Sequence, residues 1–233
     1  VGRVWYKIFS LGISSGITAL VACIMQVVMN NSLVYYGNQT EITGDVALSA
    51  MGIVMKIAMI LASVCIGFGI GAQPILGFNL GAKKYARVRH TYLLAVSIAT
   101  ASILIGWAVC QLAPHLVLSL FGKENQTFTD FAVRCLRIYL GGIFCAGFQI
   151  VSTNYFQATG QPLKASLLSM LRQLILLIPM LLILPLFFGL NGLLYAGPCA
   201  DIGSAVIVAL FILPEMRKLN RKIAESQGHA LAA

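Results

Sequence analysis

Long apolar runs separated by short polar stretches fill almost the whole chain. A helix needs about 20 mostly apolar residues to cross the hydrocarbon core of a bilayer. Stretches of that kind occupy residues 10–36, 46–78, 91–121, 128–157, 163–188 and 192–213. A transmembrane β-strand is only about 9–11 residues long and alternates in polarity, unlike these runs. The pattern therefore predicts an all-α integral membrane fold with six transmembrane helices.

Prolines are expected to distort two of the six stretches. Pro114 lies in the third, and Pro179 and Pro185 lie in the fifth. A proline inside a helix removes a backbone hydrogen bond and crowds the carbonyl four residues earlier, so it favours a break or a kink. We expect the third helix to break near Pro114 and the fifth helix to be distorted.

The composition excludes the soluble classes of protein. Apolar residues make up 59% of the 233 residues and charged residues only 10%, whereas a soluble domain carries about 25% charged residues. A formal net charge of +9 in a soluble protein would suggest a nucleic acid as its partner. In a membrane protein, however, Lys and Arg collect in the cytoplasmic loops. We therefore expect the chain to be surrounded by a lipid bilayer and to bind no nucleic acid.

The connecting segments divide sharply by basic charge. In the connecting segments, Lys123 is the only basic residue expected on one side of the membrane, and Arg134 and Arg137, early in the fourth span, are expected to face the same interface. The other side carries eleven: Arg3, Lys7, Lys83, Lys84, Arg87, Arg89, Lys164, Arg217, Lys218, Arg221 and Lys222. Because basic residues favour the cytoplasmic side, both termini are predicted to be cytoplasmic, in agreement with an even number of spans. The expected location is the plasma or inner membrane.

Three charged residues fall deep inside the predicted spans. Lys56 lies in the second span, Arg172 in the fifth and Asp201 in the sixth. Charged groups at this depth are costly and usually pair with one another or line a cavity. We expect Asp201 to pair with Lys56 or with Arg172, and the sequence does not choose between them. Asp201 then either fixes helix packing or serves a cation or proton path.

Uncharged polar residues form two further stripes. Gln26 and Asn30 share one face of the first span, and Gln149 and Thr153 share one face of the fourth, because each pair is four residues apart. Such groups either hydrogen-bond between helices or line a water-filled cavity. Together with Lys56, Arg172 and Asp201 they form the candidate cavity set.

No pattern typical of an enzyme is visible. The chain has six cysteines but no Cys-x-x-Cys pair, and none of its three histidines has a second ligand near it in the sequence. Asp201 is the only acidic residue deep in the spans, whereas a membrane enzyme would need paired His, Asp or Glu. We expect no enzymatic activity, no metal site and no cofactor.

Three stretches resemble the multidrug and toxin extrusion (MATE) family of secondary transporters, and in particular the C-terminal half of its bacterial multidrug efflux members. They are GIGAQPILGFNLGAKKYARVR from Gly69, NYFQATG from Asn154, and a third set made of Leu171–Gln173, Pro179, Phe188–Gly192 and Pro198–Asp201. The residues that carry the family motif are Gly71, Gln73, Pro74, Asn79, Gly81, Gln157 and Gly160.

The resemblance implies a fold of twelve spans in two six-helix lobes, with organic, often cationic, drugs bound between the lobes and exported in exchange for sodium or protons. Residues 1–233 would then form the single C-terminal lobe, and the N-terminal lobe would be its missing partner. Some branches of the family bind the coupling cation through acids in spans seven and ten. The first span of this chain has no acid and carries Gln26 and the Asn30-Asn31 pair, and the fourth has no acid after Asp130 and carries Gln149 further in.

Two alternatives remain at this stage. Lipid-linked saccharide flippases of the same superfamily usually carry more basic residues in a central cavity, and here only Lys56 and Arg172 are deep. A structural or homodimeric six-helix membrane protein is the second alternative, since the two lobes of the family are alike. The chain begins with Val1 rather than Met, which favours a fragment of a longer transporter.

Overall fold

The computed structural model describes residues 2–40, 42–121 and 126–231. Within these ranges, side chains are described for residue 16 and from residue 19 to residue 226. Lys123, predicted to be the single basic residue of the connecting segments on its side of the membrane, lies outside the described residues. So do the side chains of Arg3 and Lys7.

The described residues form nine α-helices and no β-strand. The helices are α1 (Gly2–Gly37), α2 (Gly44–Gly81), α3 (Tyr85–Leu112), α4 (Pro114–Ser119), α5 (Gln126–Tyr139), α6 (Ala146–Ala158), α7 (Pro162–Met170), α8 (Ile178–Phe188) and α9 (Leu190–Leu231). A 3-10 segment, Leu140–Cys145, joins α5 to α6. A π-helical segment, Leu171–Leu177, joins α7 to α8.

Six helical segments of the described chain are long and apolar enough to cross a membrane. They are Ala19–Gly37, Gly44–Gly81, Tyr85–Leu112, Gln126–Ala158, Pro162–Phe188 and Leu190–Ser226. The prediction of an all-α fold with six candidate spans is confirmed. The last helix continues well beyond residue 213, where the apolar stretch ends, and reaches a length of roughly 63 Å over its 42 residues.

The two proline sites distort the helices as the sequence predicted. The third stretch divides at Ala113, and Pro114 begins α4, where its missing N–H costs nothing. In the fifth stretch Pro179 is the second residue of α8, two residues after the end of the π-helical segment. Because proline cannot donate to the helical ladder, the ladder upstream of it is the part that rearranges.

The 3-10 segment in the fourth crossing was not predicted, and close packing explains it. Gly142 lies so near α9 that a Cβ atom added to it would be 2.6 Å from Cα of Pro198 and 3.0 Å from Cβ of Asp201. The neighbouring Gly141 has room, since its added Cβ would be 3.9 Å from the Pro198 side chain. The segment is therefore pressed against α9 at the position of Asp201.

The core lies between α2, α3, α6 and α9, with α1 packed against α2 and against the α7–α8 crossing. Its largest fully buried side chains include Met29, Met51, Leu76, Ile103 and Phe156. Many other large apolar side chains are exposed on the outer faces of the helices. In a bilayer such faces lie against lipid tails, which are as apolar as the core, so their exposure is the ordinary state of a membrane helix.

Polar contacts hold the C-terminal part of α9, which extends beyond residue 213, against neighbouring helices. These contacts lie at the end of the molecule that carries the basic residues. Glu215 accepts a hydrogen bond from the Lys164 ammonium at 3.0 Å, which ties α9 to α7. The Lys222 ammonium lies over the ring of Tyr85, 5.3 Å from its centroid, which ties α9 to α3. Leu219, between these two contacts, is buried.

Candidate functional site

Arg172 and Asp201 form an ion pair between the π-helical segment and α9. The Arg172 Nε and Nη2 atoms donate to the same oxygen of Asp201, Oδ1, at 2.9 and 2.6 Å. The exposed fraction of the side chain is 35% for Arg172 but only 6% for Asp201. The Asp201 side chain is therefore more deeply buried than that of its partner. Of the two partners that the sequence allowed for Asp201, the structure selects Arg172.

A buried hydrogen-bonding group continues from this pair to α6. The Ser204 hydroxyl lies 3.0 Å from Oε1 of Gln149 and 2.9 Å from the backbone carbonyl of Asp201. Gln149 and Ser204 are both buried. Thr153 donates to the backbone carbonyl of Gln149, one turn back in its own helix. In this structure Gln149 therefore joins α6 to α9 inside the lobe.

A second polar group lies on the other side of the lobe, beside a cavity of about 210 Å³ between α1 and α2. Gln26 donates from its side-chain amide to the side-chain oxygen of Asn30 at 3.2 Å. The cavity is lined by Gln26, Met29, Asn30 and Leu33 of α1 and by Leu48, Met51, Gly52 and Met55 of α2. Lys56 directly follows Met55 on α2 and is exposed, and it is not one of the residues that line the cavity.

The structure thus divides the candidate cavity set in two. Gln149, Thr153, Arg172 and Asp201 lie together in the contact between α6, the π-helical segment and α9. Gln26 and Asn30 line the α1–α2 cavity, and Lys56 is exposed on α2, four residues beyond the lining residue Gly52. Sequence reasoning missed Ser204, which links Gln149 to Asp201. Its signal was the three-residue spacing from Asp201, which puts both side chains on the same face of α9.

Gln73 and Gln157, two of the motif residues, hold α2 against α6. The Gln73 amide lies 2.6 Å from Oδ1 of Asn154 and 3.1 Å from Oε1 of Gln157. A Cβ atom added to Gly69 would collide with the Asn154 side chain, so that glycine permits the close approach. A Cβ atom added to Gly71 or Gly81 would meet nothing within 4 Å. Pro74 lies within α2, and the helix continues past it.

Two helices end in the same way at motif residues. At the end of α2 the N–H of Lys84 donates to the carbonyl of Asn79, and the N–H of Lys83 donates to the carbonyl of Leu80. Lys83 has a φ of 56°. This pattern is a Schellman motif, which usually places glycine at the position with positive φ. The buried side chain of Asn79 donates to the carbonyl of Ile75.

At the end of α6 the same motif has the usual residue. The N–H of Gln161 donates to the carbonyl of Phe156, the N–H of Gly160 donates to the carbonyl of Gln157, and Gly160 has a φ of 76°. Gly160 is therefore a helix-terminating residue. The sequence Gly160-Gln161-Pro162 carries the signal, because glycine followed closely by proline is typical of such an end.

The site contains polar and charged groups that can hold a molecule, with no assembled metal ligands. Nowhere in the described part of the chain do three His, Cys, Asp or Glu side chains come together as metal ligands would. The six cysteines are free thiols. The arrangement can bind an amphipathic molecule through amides, a cation and an apolar wall, and it contains one buried ion pair.

Comparison with known proteins places these features in a family. The family model MatE matches residues 18–183. The multidrug export protein MepA of Staphylococcus haemolyticus (strain JCSC1435) is 26% identical over 215 residues, which cover 91% of this chain and 44% of that protein. MepA of Staphylococcus aureus (strain NCTC 8325 / PS 47) is 25% identical over 206 residues, which cover 88% of this chain and 44% of that protein.

Solved structures show the same fold. The inward-facing conformation of a multidrug resistance MATE family transporter of the MOP superfamily matches with a TM-score of 0.82 at 18% identity, over 95% of this chain and 50% of the other. The outward-facing conformation of such a transporter matches with a TM-score of 0.80 at 19% identity, over 90% of this chain and 46% of the other. The chain spans about half the length of the proteins that it matches.

Proposed function

Since the matched family model covers more than half of its residues, this chain belongs to the MATE family, and from that premise we propose that it forms one six-helix lobe of a secondary multidrug exporter. Proteins of this family are membrane transporters and not enzymes. The proposed complete protein, which we call the assembled transporter, joins this lobe to a second six-helix lobe, to give twelve spans. Residues 1–233 act as its C-terminal lobe.

The observation that carries this proposal is the polar face of α1 and α2. At the cavity Gln26 is exposed and Asn30 is half-buried, and Lys56 is exposed on α2 four residues beyond the lining residue Gly52. Such groups are costly against lipid, and intramembrane polar residues usually face a bundle interior or a water-filled cavity. A second lobe set against this face would remove them from lipid and would close the cavity into a binding site between the lobes.

The fold comparison supports a lobe that moves as one body. The inward-facing and outward-facing structures match this chain with nearly the same TM-score, 0.82 and 0.80. Alternating access in transporters built from repeats is largely the rocking of one bundle against the other around a fixed site. We propose the same motion here, with this chain as one of the two bodies.

The driving ion is proposed to be sodium or a proton, with no other cofactor. In the transmembrane part of the described chain, Asp201 is the acidic residue whose side chain is buried. Its carboxylate forms an ion pair with Arg172. A carboxylate with a fixed guanidinium is a poor site for a cation. We therefore propose that the coupling site lies in the second lobe, and that both termini of this chain are cytoplasmic in the plasma or inner membrane.

The flippase alternative needs several unpaired bases in the cavity. Lys56 fits that requirement, but the guanidinium of Arg172 is neutralised by Asp201. A single unpaired base favours a drug over the diphosphate of a lipid-linked saccharide. A homodimer of two such chains would present the same face twice, and the experiment below separates it from the assembled transporter.

The test is dye export from bacterial cells that lack their own multidrug pumps. The cells express either the assembled transporter or the 233-residue chain alone, at membrane levels matched by immunoblot. We expect the assembled transporter to lower the steady-state accumulation of ethidium, and a protonophore together with a sodium ionophore to abolish that effect. Equal export by the 233-residue chain alone would overturn the two-lobe proposal and favour the homodimer. Export that persists without either gradient would overturn secondary transport.

A further inference from the structure

The cavity between α1 and α2 has an apolar wall and a polar end. Met29, Met51 and Met55, with two leucines, form the wall, while Gln26 and Asn30 supply side-chain amides. Methionine is flexible and polarizable, so a wall of this kind adapts to apolar bodies of different shape. The volume, about 210 Å³, is smaller than the roughly 300–1,000 Å³ typical of a complete small-molecule pocket. It therefore suits one part of a drug-sized molecule.

Lys56 is not part of the lining, and the helical spacing places it about one turn beyond Gly52, towards the polar end of the cavity. Leu48, Gly52 and Lys56 are spaced four residues apart and so follow one face of α2, and the first two line the cavity. The helices α1 and α2 are antiparallel neighbours joined by a short turn. Gln26 lies eleven residues before the end of α1 and Lys56 twelve residues after the start of α2. The two side chains are thus at the same level in the membrane.

The charge of Lys56 has no partner in the described part of the chain. The described ion pairs are Lys164–Glu215, Arg172–Asp201, Lys218–Glu215 and Arg221–Glu225. Asp45, at the start of α2, is eleven residues away, or about 16 Å along the helix axis. An ammonium about 18 Å from the start of a membrane helix is costly without a counter-charge.

These observations point to a ligand group that carries the missing charge. We propose that the α1–α2 cavity binds the anionic group of an amphipathic substrate, with the Lys56 ammonium as its counter-charge and the amides of Gln26 and Asn30 as neutral donors. A carboxylate, sulfonate or phosphate accepts hydrogen bonds from both kinds of donor. This inference rests on the proposed function and names its substrate class, since it favours anionic and zwitterionic drugs over purely cationic ones.

The experiment compares two probes that differ only in charge. One is a dansyl group on a six-carbon chain that ends in a carboxylate, and the other is the same molecule ending in a trimethylammonium group. Binding to the detergent-purified assembled transporter is followed by fluorescence anisotropy. We expect the carboxylate probe to bind more tightly, and Lys56→Gln to weaken it about tenfold with little effect on the ammonium probe. Lys56→Glu should reverse the preference, which a merely unfolded protein cannot do.

Two further variants separate the site from general effects of charge. Lys84→Gln makes the same charge change on the exposed turn at the other end of α2 and should leave both probes unaffected. Gln26→Leu removes an amide donor without changing the charge and should weaken the carboxylate probe severalfold. If Lys56 only extends towards the membrane surface, Lys56→Gln and Lys84→Gln will have equal effects, and the proposal is wrong. A preference of the unsubstituted protein for the ammonium probe would also overturn it.

Because binding is measured apart from transport, the two proposals can fail separately. A carboxylate preference that depends on Lys56, in a protein that exports nothing along an ion gradient, would keep the anion site and overturn the exporter. Gradient-driven export of ethidium by a protein with no carboxylate preference would keep the exporter and overturn the anion site.

Discussion

Arg172 and Asp201 join the π-helical segment to α9, since a guanidinium nitrogen of Arg172 lies 2.6 Å from the Asp201 carboxylate. The 3-10 segment approaches α9 at the same residue, through Gly142. The two irregular segments in the described part of the lobe, one π-helical and one 3-10, therefore both contact α9 at Asp201.

The ion pair is predicted to be asymmetric in its contribution to stability. Arg172→Gln leaves the nearly buried Asp201 carboxylate without a counter-charge, and breaking a buried pair in this way costs up to about 3–5 kcal/mol. Asp201→Asn leaves Arg172 unpaired, but the Arg172 side chain is 35% exposed, against 6% for Asp201, so the residue left unpaired is less deeply buried. We therefore expect Arg172→Gln to lower the melting temperature more than Asp201→Asn does, as measured by fluorescence-detected gel filtration in detergent.

The double variant and a surface pair serve as controls for this prediction. Arg172→Gln combined with Asp201→Asn should recover part of the loss of the Arg172 variant, because no buried charge remains. Arg221→Gln removes one partner of an exposed pair, with exposed fractions of 84% and 57%, and should change stability by less than about 1 kcal/mol. A larger loss from Asp201→Asn than from Arg172→Gln would contradict the account of the pair.

The 3-10 segment offers a comparison between adjacent glycines. Gly142→Ala places a methyl group 2.6 Å from Cα of Pro198, where backbone must move, whereas Gly141→Ala meets its nearest atom at 3.9 Å. Overpacking of this kind typically costs about 1–3 kcal/mol. We expect Gly142→Ala to lower the melting temperature in detergent and Gly141→Ala to leave it nearly unchanged. Equal effects of the two variants would show that the segment is not pressed against α9.

The end of α2 predicts a stabilising substitution. Lys83 has a φ of 56°, in the left-handed region, which costs a residue other than glycine about 1–2 kcal/mol. Lys83→Gly should raise the melting temperature. The control is Lys84→Gly, which removes the same charge at a φ of −86° and relieves no strain. No gain from Lys83→Gly, or an equal gain from both, would refute this reading of the helix end.

The orientation of the lobe can be tested with single cysteines in a cysteine-free background. Gln39 lies in the α1–α2 turn and Lys84 in the α2–α3 turn, and both side chains are exposed. Because the basic residues predict a cytoplasmic α2–α3 turn, a membrane-impermeant maleimide added to intact cells should label Gln39→Cys and spare Lys84→Cys. Permeabilised cells should label both. Labelling of Lys84→Cys alone in intact cells would invert the predicted topology.

Much of the fold could be predicted from the sequence because the bilayer imposes a simple length rule. The six apolar stretches, the break before Pro114 and the distortion before Pro179 all follow from apolar length and from the missing N–H of proline. The 3-10 segment could not be predicted in this way. Its cause is the contact of Gly142 with a helix about 55 residues later in the chain, and nothing local in the sequence reports that contact.

The candidate site was predictable only as a set of residues. The depth of Lys56, Arg172 and Asp201 identified them as unusual, but depth alone could not decide which base pairs with Asp201. That choice depends on how each helix is rotated about its axis, which packing sets. The same rotation turns Gln149 towards Ser204 inside the lobe and leaves Gln26 exposed at the cavity.

The measurement that tests the central claim most directly is ion-driven transport in proteoliposomes. The assembled transporter, with this chain as its C-terminal lobe, is reconstituted, and ethidium movement is followed under an imposed sodium or proton gradient. We predict movement against the ethidium gradient that requires one of the two ion gradients and stops when an ionophore dissipates it, with none in vesicles containing this chain alone. Ethidium movement that is the same with and without the ion gradients, or that the isolated chain supports equally well, would contradict the account.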